Sequence, residues 1–121
     1  MFNSTRDAIT ELIGSKTGGQ SRTVRTDMLD DIRGGVGVYV TESADGRTLY
    51  IGSVYRPNNP LGIRAHLREH LGRAENSGWA KITIFPMAGR VAERDVRQVE
   101  GIIAIWLVPA QGHAWPRVRR S

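Results

Sequence analysis

Residues 37–53, GVYVTESADGRTLYIGS, set the fold expected for the whole chain. Val36 to Glu42 is β-rich, Ala44-Asp45-Gly46 signals a turn, and RTLYIGSV resumes the β pattern, so the simplest reading is a hairpin. A tyrosine and a glycine stand at each end of it. Tyr39 and Tyr50 are amphipathic, and as half-buried ring pairs they would stabilise such a hairpin. Gly52 is harder to explain by packing, because glycine inside a strand costs stability and commonly marks close approach by another backbone or a ligand. Two tyrosine hydroxyls beside an open glycine position make a pocket suited to phosphate.

On the N-terminal side, TRDAITELI (5–13) places Ile9, Leu12 and Ile13 on one helical face behind a Ser4 cap, with Gly14 positioned to stop the helix. SKTGGQSRTVRT (15–26) lacks apolar periodicity and holds two adjacent glycines, which predicts a mobile linker; an ordered DNA-contacting arm is the rival. DMLDDIR predicts one helical turn before Gly34-Gly35 releases the chain into the first strand.

On the C-terminal side, YRPNNP reads as a loop. LGIRAHLREHLGRA then sets Ile63, Leu67, Leu71 and Ala74 at helical spacing, predicting a helix at about 61–73. WAKITIFP (79–86) reads as a third strand ended by Pro86. A second long helix at about 91–108 carries an apolar stripe of Val96, Val99, Ile103, Trp106 and Leu107. The expected fold is mixed α/β, a small three-stranded, mainly antiparallel sheet (36–42, 47–54 and 79–86) covered by helices. The expected organisation is an N-terminal helix and flexible linker (1–35), a core (36–109) and a basic, irregular tail (110–121).

The chain has 121 residues, enough for one small core and too few for two. A hydrophobic content of 40% with 24% charged residues argues against wholesale disorder. Seventeen Lys+Arg against 12 Asp+Glu leave a formal +5, carried mostly by arginine, whose planar fork suits phosphate and base edges; a polyanion is therefore the expected partner. The absence of cysteine excludes disulfides and Cys-based zinc sites and fits a reducing compartment. Asp7 and Glu11 interrupt the N-terminus where a secretory signal needs an apolar core, and no run approaches the ~18 to 20 apolar residues of a membrane span. The expected location is cytoplasmic, with no membrane partner.

Gly37-Val38-Tyr39, then Tyr50-Ile51-Gly52, then a helix bearing Arg and His, then a glutamate on a later helix: this order resembles the GIY-YIG nuclease domain, over residues 36 to about 109. The resemblance implies a small DNA endonuclease that hydrolyses phosphodiester bonds with one divalent cation, Mg²⁺ or Mn²⁺. It implies that Glu100 holds the metal, that Tyr39 and Tyr50 flank the scissile phosphate, and that an arginine stabilises transition-state charge. Tyr39, or a water that it orients, would supply base or nucleophile activation. A phenol is a poor base at neutral pH unless nearby cations help it lose its proton, so metal and arginine are integral to the scheme.

Helical geometry bears on Glu100 separately. Counting about 100° per residue from Val99, the apolar stripe spans roughly −20° to 80° and Glu100 falls at about 100°, on its shoulder. The alternative is a surface glutamate paired with Arg97; Glu93 is the fallback ligand, and Asp95 lies across the stripe.

Two features depart from the family's pattern. Aligned on Leu67 and His70, the position where relatives usually carry arginine is His66, and Arg64 comes two residues early. His66 and His70 share one helical shoulder and Arg64 occupies the other, so either His66 replaces the arginine or a shifted register gives Arg64 the role. A histidine donates to phosphate as a cation only when protonated. An i,i+4 histidine pair also suits zinc, but it has no clear third ligand. The asparagine that relatives often place after the metal-ligand helix is missing, with Gln111 and His113 nearby instead. These departures keep open a catalytically weakened or inactive nucleic-acid-binding module of the same fold, while an unrelated basic protein would use the tyrosines for packing alone. Gly52, Arg56, Arg68 and the tail arginines Arg117, Arg119 and Arg120 are the expected substrate contacts. DNA is the expected substrate and RNA stays open; so small a chain would act without sequence preference, recognise DNA structure, form a homodimer or join a larger assembly.

Overall fold

A computed structural model of the protein describes residues 3–109. Among them are three α-helices, α1 (Asn3–Ile13), α2 (Gly62–Leu71) and α3 (Glu93–Leu107), and four strands, β1 (Arg22–Arg25), β2 (Val36–Glu42), β3 (Thr48–Tyr55) and β4 (Lys81–Pro86). The strands form one antiparallel sheet in the order β1-β4-β2-β3. Short 3₁₀ turns lie at Gly14–Lys16, Leu29–Asp31 and Ala74–Asn76.

The mixed α/β class and the hairpin β2–β3 agree with the sequence reading, but the sheet has a fourth strand. RTVR, inside the segment expected to be a mobile linker, pairs with β4 from Arg22↔Ile84 to Arg25↔Lys81. Its lack of periodicity has a physical cause: β1 is an edge strand with only Val24 half-buried, and backbone pairing reinforced by the Thr23–Thr83 hydroxyl contact (2.8 Å) holds it. The partner lies far along the chain, so no local pattern announces it. Ser4 lies inside α1, which begins at Asn3, and so does not cap it. Trp106, assigned to the apolar stripe of α3, is 48% exposed, while Glu100 and Ala104 join the buried face.

The pairing of β2 with β3 runs Val38↔Ser53, Tyr39↔Gly52, Val40↔Ile51, Thr41↔Tyr50. Alternation along β2 sends Val36, Val38 and Val40 to one face, where they pack with Ile9 and Ile13 of α1 and with Val96, Val99 and Ile103 of α3. Tyr39 points to the other face and packs with Ile63 and Leu67 of α2 and with Leu29, Ile32 and Trp79.

Gly34 and Gly35 fasten α2 to the start of β2. The Gly34 N–H donates to the Pro60 carbonyl (2.7 Å), the Arg56 N–H to Gly35 (2.7 Å) and the Ile63 N–H to Gly34 (3.0 Å). A Cβ on Gly35 would fall on the Arg56 carbonyl, so only glycine lets the two segments meet. The clasp fixes where α2 presents its histidines to the sheet. Among the described residues no helix is long and apolar enough to cross a membrane.

Candidate active site

Register accounts for Gly52. Tyr39 is its cross-strand partner and lies over it: a Cβ on Gly52 would stand 2.5 Å from Cζ and 2.8 Å from Cε1 of the Tyr39 ring, with the hydroxyl closer still. The close approach that a strand glycine signals is therefore made by Tyr39 itself. This corrects the expectation of Gly52 as an open substrate-binding position, because the ring fills the space above it.

Tyr50 sits diagonally across the same sheet face, its ring centroid 6.2 Å from that of Tyr39. His66 and His70, one turn apart on α2, bring their rings to 4.4 Å of each other above the tyrosines. The Tyr39 hydroxyl meets His66 Nε2 at 3.1 Å. Trp79, which precedes β4, closes the group, 5.5 Å from Tyr50 and 6.1 Å from His70 in stacked geometry. The sequence reading assigned Trp79 to a strand and missed this role; its position two residues before β4, where an aromatic ring can fold back over the sheet face, is the signal it carried.

Electrostatics set the protonation of this group. Burial, then the neighbouring His70 and Arg56, push the His66 pKa down to about 4, so its ring is neutral at pH 7. Burial and then Arg73 also lower His70. Tyr39, 1% exposed, is raised well above the ordinary phenol value by burial and by Tyr50 and Glu100. The Tyr39–His66 contact is thus a phenol donating to a neutral imidazole. With its pKa lowered to about 4, His66 carries no charge near neutral pH in this structure, unlike the arginine expected at its position.

Arg64 does not enter this group either. Its Nη2 donates to the carbonyls of Asp30 and Ile32 (3.1 Å for the latter), tying α2 to the 3₁₀ turn before β2, and its Nε is buried without a hydrogen-bond acceptor. Arg68 pairs with Asp30 (2.5 Å) and Arg56 with both carboxylate oxygens of Glu69 (3.0 and 3.2 Å). Arg117, Arg119 and Arg120, like Gln111 and His113, lie outside the described residues.

The carboxylate lies at the other side of β3. Glu100 is fully buried, not a surface residue, and its Oε1 accepts the Ser53 hydroxyl. Ser53 Oγ in turn accepts from Arg97 Nη1 (2.6 Å), and Arg97 Nη2 donates to Glu93 Oε2 (2.9 Å). Ser53 and Gly52 are adjacent, so the Glu100 group and the ring group meet at β3, and Glu100 contributes to the raised pKa of Tyr39. The alternation that turns a polar Ser53 toward the α3 core was the signal for it; the sequence reading did not use it.

The donor chemistry at Glu100 suits a hard cation bound through one carboxylate, with water and phosphate oxygens as its other ligands. Access is closed as the side chains stand, since Glu100 has no exposed surface. The described residues contain no group of three or more His, Cys, Asp and Glu able to hold a metal ion of any kind, and His66 and His70 lack the third ligand that zinc needs. Comparison of the chain with protein-family models, with curated proteins and with solved structures found no match.

Proposed function

We propose that this protein is a small endonuclease that hydrolyses nucleic-acid phosphodiester bonds, DNA first, in the manner of the GIY-YIG domain that its sequence resembles. The observation that carries the reading is the hydrogen bond between the Tyr39 hydroxyl and a neutral His66, held over Gly52 beside the Glu100–Ser53–Arg97 chain.

In this scheme the Tyr39 oxygen takes a proton from the attacking water while its own proton passes to His66 Nε2. The neutral ring offers a lone pair for that proton and, with its pKa lowered to about 4, holds it only in passing. Water oxygen attacks phosphorus, the bond to the leaving oxygen breaks and that oxygen takes a proton from solvent, while the proton held on His66 returns to Tyr39. Tyr50, on the same face, orients the phosphate. A divalent cation held by Glu100 would supply Lewis-acid stabilisation of the phosphate charge.

Supercoiled DNA, short duplexes, branched DNA and single strands, each incubated with Mg²⁺ and with EDTA, test the reading. Cleavage in Mg²⁺ that EDTA suppresses is expected on at least one substrate. The enclosure of Glu100 and the diversion of Arg64 favour a second reading, a binding module without catalysis. Binding on every substrate with cutting on none would select it.

A further inference from the structure

We propose that Arg97 of α3, rather than a residue of α2, is the guanidinium that contacts the phosphodiester; the inference rests on the hydrolytic reading of the same site. Arg97 is held from within and loosely held from without. On its inner side Nη1 donates to Ser53 Oγ at 2.6 Å and reaches the Ser53 carbonyl at 3.4 Å. The buried Ser53 hydroxyl donates to the buried Glu100, so the serine uses its proton on the carboxylate and its lone pair on the guanidinium. This chain places a positive charge at the strand position next to Gly52, over which Tyr39 lies.

On the outer side Nη2 pairs with Glu93, and the side chains of Arg97 and Glu93 are 39% and 54% exposed. An exposed i,i+4 pair is weak and readily exchanged, whereas a guanidinium fork bonds phosphate oxygens strongly. A phosphate can therefore displace Glu93 while Ser53 keeps the fork oriented. Arg64 instead holds loop carbonyls and Arg56 holds both oxygens of Glu69, which leaves Arg73, just beyond α2 and also acting on Tyr39, as the rival guanidinium. Arg97 also favours the charged form of Tyr39 and disfavours that of His66, as a cation close to both must.

Two measurements on the full chain test this. In ¹⁵N-arginine-labelled protein, titration with the dinucleoside phosphodiester TpT should shift the Arg97 Nε–H signal, assigned by its loss in Arg97→Lys, and Arg97→Lys and Arg97→Gln should bind TpT more weakly. In single-turnover cleavage, Arg97→Gln should lose roughly 10² to 10³ in rate, as when one charge-stabilising donor is removed. Guanidinium ion well below denaturing concentration should restore part of the rate in Arg97→Ala, which a merely structural role would not allow. Thermal melts separate folding loss from these effects, and Arg97→Lys keeps the charge should the neutral variants unfold. A TpT-induced shift at Arg56, Arg64 or Arg73 with none at Arg97, or cleavage unchanged in Arg97→Gln, overturns the inference. If wild type cuts nothing, the hydrolytic reading fails while the TpT titration still decides whether Arg97 is the phosphate ligand.

Discussion

The two faces of the sheet differ in kind. On the α1–α3 face, Val36, Val38, Val40 and Ile51 meet Ile9, Val96, Val99 and Ile103, an aliphatic layer into which Glu100 intrudes, bonded to Ser53. On the α2 face the same two strands present Tyr39 and Tyr50 to His66, His70 and Trp79, rings with polar tips and shifted protonation. The first arrangement gains stability from area removed from water; the second holds polar groups in fixed geometry. Strand β3 is the seam, because Gly52 faces one side and Ser53 the other. Under the proposed function, the chemistry would lie on the ring face and at the seam, with the aliphatic face as its support.

The largest expected effect on stability comes from the aliphatic face. Ile103→Ala should cost about 2–5 kcal/mol by removing fully buried methyl groups and leaving a cavity, as measured by denaturant unfolding. A smaller loss would mean that the layer is less closely packed than described. Gly52→Ala comes next, at about 1–3 kcal/mol, because the new methyl group strikes the Tyr39 ring. An unperturbed melt would show that the ring does not lie on Gly52.

Acidity should act on the ring face. With the His66 pKa lowered from 6.5 to about 4, the unfolded chain binds more protons than the native state between those values. Stability should therefore fall as pH drops through that window and be fully present above it, with His70 adding in the same direction. Arg56, Glu69 and Arg97 also face His66 and modulate the window. His66→Gln should flatten the dependence of melting temperature on pH; an equally steep profile would assign it elsewhere. Smallest is Arg64→Ala, expected to cost about 1 kcal/mol through loss of its carbonyl bonds, with cleavage unchanged. A large fall in cleavage would return Arg64 to the site.

Much of this division was legible in the sequence because period-two alternation and helical spacing are local signals. They gave the hairpin, both long helices, the shared face of Tyr39 and Tyr50, and the opposite placement of Arg64 and His66. What stayed hidden depends on distant segments. RTVR becomes a strand only because β4 offers it an edge. Arg64 is drawn away by carbonyls that its own helix does not reveal. His66 loses its charge through burial, which spacing does not report. Arg97 was visible only as a partner for Glu100, whereas the contact runs through Ser53 on another element.

The central claim is that the Tyr39–His66 contact over Gly52 serves phosphodiester hydrolysis, and single-turnover cleavage with parallel DNA-binding measurements on Tyr39→Phe tests it most directly. The substitution keeps the ring on Gly52 and removes only the hydroxyl, so folding and DNA affinity should stay close to wild type. Cleavage should fall by a few powers of ten, about the loss when one essential hydrogen-bonding group leaves an active site. Cleavage that proceeds at the wild-type rate in Tyr39→Phe would contradict the account and leave the ring cluster as packing alone.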